Sequence, residues 1–176
     1  ILTALQEVRI KRKNKMEKIT VIGAGLAGCE AALQIANLGV AVDLIEMKPQ
    51  KRTPAHKSDN FAELVCSNSL KAARVDSAAG LLKEEMRRFG SICMAAAEKC
   101  SVAAGGALAV DRDIFSSLIT ETVKNHSNIT IKNEVVTSLN PQEITVVATG
   151  PLTEGGLADE IAKMCDSENL SFYDAA

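Results

Sequence analysis

The stretch Lys18 to Met47, "KITVIGAGLAGCEAALQIANLGVAVDLIEM", decides the fold. Ile19, Val21 and Ile22 form a short apolar run that predicts a buried strand, and Gly23, Gly25 and Gly28 follow it at GxGxxG spacing. The Ala-rich segment Ala27 to Leu38 has helical spacing with Gly39 as its stop, and Val40 to Ile45 predicts a second, parallel strand. Strand, glycine turn, helix and strand make one βαβ unit of a Rossmann-like domain.

In such a unit each glycine has its own task. Gly23 permits a tight turn, Gly25 removes a side chain where a diphosphate must approach the backbone, and Gly28 lets the helix pack against the strand. The helix N-terminus adds open N–H groups and partial positive charge for an anion. Glu46 closes the second strand 18 residues after Gly28, at the place where an acid grips the ribose hydroxyls of an adenosine. Its charge would repel a 2'-phosphate, which disfavours NADP there. The expected dinucleotide site is therefore Gly23, Ala24, Gly25, Leu26, Ala27, Gly28 and Glu46. Spacing alone does not separate FAD from NAD. "TVVATGP", a strand candidate ending in Ala148, Thr149 and Gly150, resembles the ATG segment of two-dinucleotide flavoproteins and shifts the balance to FAD, adding Thr149 and Gly150 to the site.

Outward from this unit, "KPQKRTPAHKSDN" reads as a loop. Phe61 to Ala73 and Asp76 to Phe89 read as helices, the latter with Asp76 as cap and Gly90 as stop, and Ser91 to Cys100 as a further helix. "AAGGALAVDRDIF" reads as a glycine hinge leading into a helix from Arg112 to Lys124 capped by Asp111. Ile129 to Ile131, Val135 to Leu139 and Ile144 to Ala148 are strand candidates, and Glu154 to Met164 is helical again. The fold class is α/β: a Rossmann-like FAD/NAD(P)-binding domain, a parallel sheet flanked by helices, with added helices.

The chain has 176 residues, 47% hydrophobic and 24% charged, a composition suited to one domain with a real core. Aromatics are 3% with no Trp, so aliphatic residues and alanine must fill that core and base-stacking platforms are not expected. Residues 1–15 carry a local charge of +4 while the chain sums to −2, leaving the remainder at −6. That leader reads as a tail outside the native domain, with Met16 as the natural start. It lacks the pattern of a signal peptide, and no apolar run reaches membrane-spanning length. Five cysteines, without CxxC pairing, fit a reducing cytoplasm better than a disulfide framework or zinc site. Only two histidines, His56 and His126, are present, and no metal site is expected.

Longer blocks now align with one family. "VIGAGLAGCEAA", "MKPQKRTPAHKSDNFAELVCSNSLKA", "GLLKEEMRR" and "GGALAVDRDIF", followed by "ATGPLT" and "FYDAA", resemble the folate- and FAD-dependent tRNA (uracil-5-)-methyltransferase family. The resemblance covers Met16 to Ala176 and implies that residues 16–176 are the N-terminal part of an FAD-binding domain whose remainder lies outside this chain. Cys29, where the family more often has serine, and Ala104, where a proline is expected, are the departures. The resemblance implies FAD as cofactor, methylenetetrahydrofolate as one-carbon donor, NAD(P)H as external reductant and a T-loop uridine of tRNA as acceptor. Related alternatives are a flavoprotein that modifies the wobble uridine of tRNA, an NAD-linked oxidoreductase, and a nucleotide-binding fragment without chemistry of its own.

"ELVCSNS" matches the family segment carrying a functional cysteine, so the resemblance gives Cys66 a catalytic role. That role has three forms: addition to uracil C6, a protective or covalent flavin adduct, or proton transfer. The residues alone leave open a small buried thiol, with Lys71 and Arg74 able to activate it only if the fold brings them close. The basic loop with Lys48, Lys51, Arg52, His56 and Lys57 is either a contact for RNA phosphate or folate polyglutamate, or a solvated loop.

Overall fold

The computed structural model describes residues 18–165; the leader, Met16 and "FYDAA" lie outside them. Strands β1 (Ile19–Ile22), β2 (Val42–Glu46), β6 (Ile129–Asn133) and β7 (Thr145–Val147) form a parallel sheet in the order β6-β2-β1-β7. Val21, Val42 and Leu44 are almost wholly buried and join Ala32, Leu33 and Ala36 of helix α1 (Leu26–Asn37) in the core. Small side chains on the buried face of α1 let it lie close to the sheet, which compensates for the scarcity of aromatics.

Helix α4 (Arg112–Lys124) begins at Asp111, whose Oδ1 accepts from the Asp113 and Ile114 amides at 3.0 Å each, the cap expected from sequence. Its Phe115, Ile119 and Val123 repeat every four residues and are completely buried. Helix α3 (Ile92–Lys99) sits between α1 and α4. Its cap Ser91 accepts from the Met94 amide and donates to Glu30 of α1 at 2.7 Å, so the start of α3 is tied to the first βαβ unit. Burial raises the Glu30 pKa, but hydrogen bonds from Ser91, Gln34 and Cys93 outweigh it and hold the carboxyl below its usual value.

Three expectations are corrected. Phe61 to Ala73 is not a helix: Phe61 and Ala62 turn, and β3 (Ser69–Ala72) pairs antiparallel with β5 (Ala107–Val110), itself paired with β4 (Ser101–Val102). Left-handed backbone at Ala62 (φ 51°) and at Lys71 (φ 66°) breaks any helical path, and a β-bulge lies between Ser69 and Ala72. The "GGALAV" hinge thus becomes the central strand of a small second sheet. Val135 to Leu139 is irregular and pairs with no strand among the described residues. Helix α2 (Ala78–Arg88) is capped by Ser77 rather than Asp76: the Ser77 Oγ accepts from Gly80, while Asp76 pairs with Arg74. Helix α5 (Gly156–Met164) closes the described chain.

Candidate functional site

The carboxyl ends of β1, β2 and β7 and the N-terminus of α1 meet at a cleft of about 300 Å³, the place where open α/β sheets take ligands. The three motif glycines behave differently there. A Cβ on Gly23, at φ +96°, would lie 2.7 Å from the Ala148 carbonyl oxygen, and one on Gly28 would lie 1.7 Å from the Gly23 oxygen. Packing alone demands those two glycines. Gly25 has an ordinary φ of −72°, nothing within 4 Å of its Cβ position, and a place in the cleft lining. The space beside it is open. No side chain caps α1, its first turn carries no acid, and Leu26 and Ala27 are exposed along the cleft, so the amide end of the helix opens onto it.

Glu46 is buried at the tip of β2 and lines the same cleft. Its Oε2 accepts from the Ala24 amide at 2.7 Å and its Oε1 from the Lys48 amide at 3.0 Å. Each carboxylate oxygen has a second lone pair, so the acid both ties down the glycine turn and retains acceptor capacity for hydroxyl groups. Thr149 and Gly150 line the opposite wall after β7, where the Ala148 amide donates to the Ile22 carbonyl at 2.8 Å.

The basic loop is not a uniform cationic surface. Lys48 is buried, its Nζ donating to the carbonyls of Ser58 (3.2 Å) and Asn60 (2.5 Å). Lys51 reaches across the cleft mouth to Glu154 at 2.9 Å, and Arg52 pairs with Asp59 and donates to the Lys57 carbonyl. Lys57 is exposed outside the lining. "TPAH" forms a turn in which the His56 amide donates to the Thr53 carbonyl at 3.1 Å and the Thr53 Oγ1 and His56 Nδ1 lie 2.6 Å apart.

The fold therefore brings Gly23, Ala24, Gly25, Leu26, Ala27, Glu46, Lys51, His56, Thr149 and Gly150 into one lining, with Gly28 behind it. Cys66 is exposed, one residue beyond Val65 of the lining. Cys29, Cys93 and Cys100 are buried, and burial raises all three thiols, Cys29 to about 12. Exposure separates Cys66 from them. Sequence reasoning missed Thr53, Glu63, Val65 and Val136 in the lining. The three-residue spacing of Thr53 and His56 in "TPAH" was the one available signal for Thr53. Among the described residues no cluster of three or more metal-ligating side chains occurs, and no helix is long and apolar enough to cross a membrane.

A sequence model of the family described as Glucose inhibited division protein A matches residues 18–175. The chain belongs to this family. Two relatives named "Methylenetetrahydrofolate--tRNA-(uracil-5-)-methyltransferase TrmFO" are similar to it. The protein from Enterococcus faecalis is 58% identical over 160 residues, 91% of this chain and 37% of that protein. The one from Ligilactobacillus salivarius is 61% identical over 158 residues, 90% and 36% respectively. The chain spans little more than a third of the length of these curated relatives. Among solved structures, Aquifex aeolicus GidA matches 83% of this chain and 30% of its own with a TM-score of 0.67 at 17% identity, a likeness of fold.

Proposed function

We propose that this chain supplies the FAD site of a tRNA uracil-5-methyltransferase that uses methylenetetrahydrofolate as one-carbon donor. The open space at Gly25, beside the uncapped start of α1 and facing Glu46, carries the reading. These residues fit the adenosine diphosphate half of FAD: the α1 amides hold the diphosphate and Glu46 accepts from ribose hydroxyls. When bound, FAD supplies the electrons that bring the transferred carbon to a methyl group, with NAD(P)H as the external reductant.

The chain's own chemistry centres on Cys66. Uracil C5 becomes nucleophilic when a thiolate adds at C6 and pushes an electron pair into the ring. Once C5 has bonded to the one-carbon unit, with that carbon's bond to its carrier nitrogen broken and the C5 proton lost to a base, two-electron reduction of the exocyclic carbon to methyl lets the ring expel the thiolate and regain its C5–C6 double bond. An exposed thiol next to the cleft lining suits a macromolecular acceptor, here a T-loop uridine of tRNA. These partners point to the cytoplasm. The 58% and 61% identical relatives are named for uracil-5 methylation, which favours this reading over the wobble-uridine and NAD-linked alternatives.

The full-length protein should purify yellow, release FAD on denaturation, and move label from methylenetetrahydrofolate to C5 of a T-loop uridine. A colourless preparation that binds NAD, or tRNA left unlabelled, would overturn the proposal.

A further inference from the structure

The cleft has an electrostatic deficit for the ligand proposed for it. Its lining carries four acids, Glu46, Glu63, Glu134 and Glu154, against the cations Lys48 and Lys51. A diphosphate entering there meets like charge, and α1 supplies only a fractional positive end. Three residues of the lining carry side-chain nitrogens: Lys48, Lys51 and His56. The Lys48 ammonium is engaged by the carbonyls of Ser58 and Asn60 and lies 3.9 Å from Glu63. Lys51 is paired with Glu154. His56 has Nδ1 held by Thr53, while its Nε2 has no hydrogen-bond partner among the described residues.

We infer that His56 is the cleft's side-chain donor to a phosphate oxygen of the bound dinucleotide, and that Thr53 is the residue that positions it. This inference rests on the dinucleotide reading of the cleft. The "TPAH" turn supplies the mechanism of positioning. Pro54 occupies the second turn position, where its fixed φ favours the reversal, and the His56 amide closes the turn on the Thr53 carbonyl at 3.1 Å. The same turn stacks the Thr53 hydroxyl against Nδ1 at 2.6 Å. When the hydroxyl donates, Nδ1 is the acceptor and the ring hydrogen of the neutral imidazole resides on Nε2. The ring then presents one donor to the cleft without needing a full charge beside the four acids.

The test uses the full-length protein stripped of cofactor, titrated with FAD, ADP and adenosine. His56→Leu should weaken FAD and ADP roughly ten- to hundred-fold, the range for one hydrogen bond to a charged group, and leave adenosine unchanged. His56→Gln, which keeps an amide donor, should recover most of the loss. Thr53→Val should weaken FAD and ADP less than His56→Leu and Thr53→Ser should restore binding. In the 15N spectrum, parent protein should show the Nε2–H tautomer of His56, and Thr53→Val a mixture. Unchanged FAD and ADP affinity in His56→Leu, equal loss of adenosine, or an Nδ1–H tautomer in the parent would each overturn the inference. Absence of FAD and ADP binding by the parent protein would instead refute the dinucleotide reading itself.

Discussion

Gly23 and Gly28 are required by the fold, because the Cβ of an alanine at either position would overlap backbone, at Gly28 to 1.7 Å. Gly28→Ala should destabilise the protein by about 1–3 kcal/mol, the range for overpacking, seen as a lower urea midpoint at unchanged slope. Cys66 belongs to the other class, an exposed side chain one residue beyond the cleft lining. In the full-length enzyme Cys66→Ala should keep its melting temperature and its flavin absorbance while methyl transfer falls at least a thousandfold, since the proposed nucleophile is gone. Undiminished turnover would remove Cys66 from the chemistry. Both residues stood out in the sequence, but for unequal reasons. The glycine motif follows from backbone geometry that any reader can reconstruct, whereas Cys66 lies in a segment read as a helix, which the structure breaks with left-handed backbone at Ala62 (φ 51°).

Elements with local signals were legible: α4 from its Asp111 cap, and β1 and β2 from their apolar runs. The small sheet was not, because β3 finds its partner β5 more than thirty residues later and is only four residues long with a bulge. Pairing at that range leaves no periodic trace in either segment alone. Asp111→Ala should cost about 0.5–2 kcal/mol in chemical denaturation, since it leaves two α4 amides without their cap. Asp43 couples strands rather than helices. It is buried near the start of β2, paired with Lys18 ahead of β1 and with Lys132 of β6 at 2.6 Å. Burial raises its pKa, but the hydrogen bonds from Lys132 and Lys18 outweigh that and lower it. A carboxyl lowered on folding stabilises above its unfolded value of about 3.9 and loses that contribution as pH falls through the folded value. Asp43→Asn should therefore be less stable than the parent at pH 7, with the gap closing in acid as pH falls through the lowered folded value. A gap independent of pH would mean that the ion pairs contribute nothing.

For the molecule as a whole, one cleft gathers the ends of three parallel strands, the head of α1 and the loop from Lys48 to Asn60, so ligand and fold are thermodynamically linked. ADP at a hundred times its dissociation constant should add about 2.7 kcal/mol of stability and slow hydrogen exchange in that loop. The most direct test is titration of parent and Gly25→Ala full-length protein with FAD, with melting temperatures recorded on both apo forms. Nothing lies within 4 Å of the Gly25 Cβ position, so the apo variant should lose no more than about 1 kcal/mol, while the new methyl group fills the space the diphosphate needs and FAD binding falls at least a hundredfold. Equal FAD affinity in the two proteins would contradict the placement of the diphosphate at the head of α1.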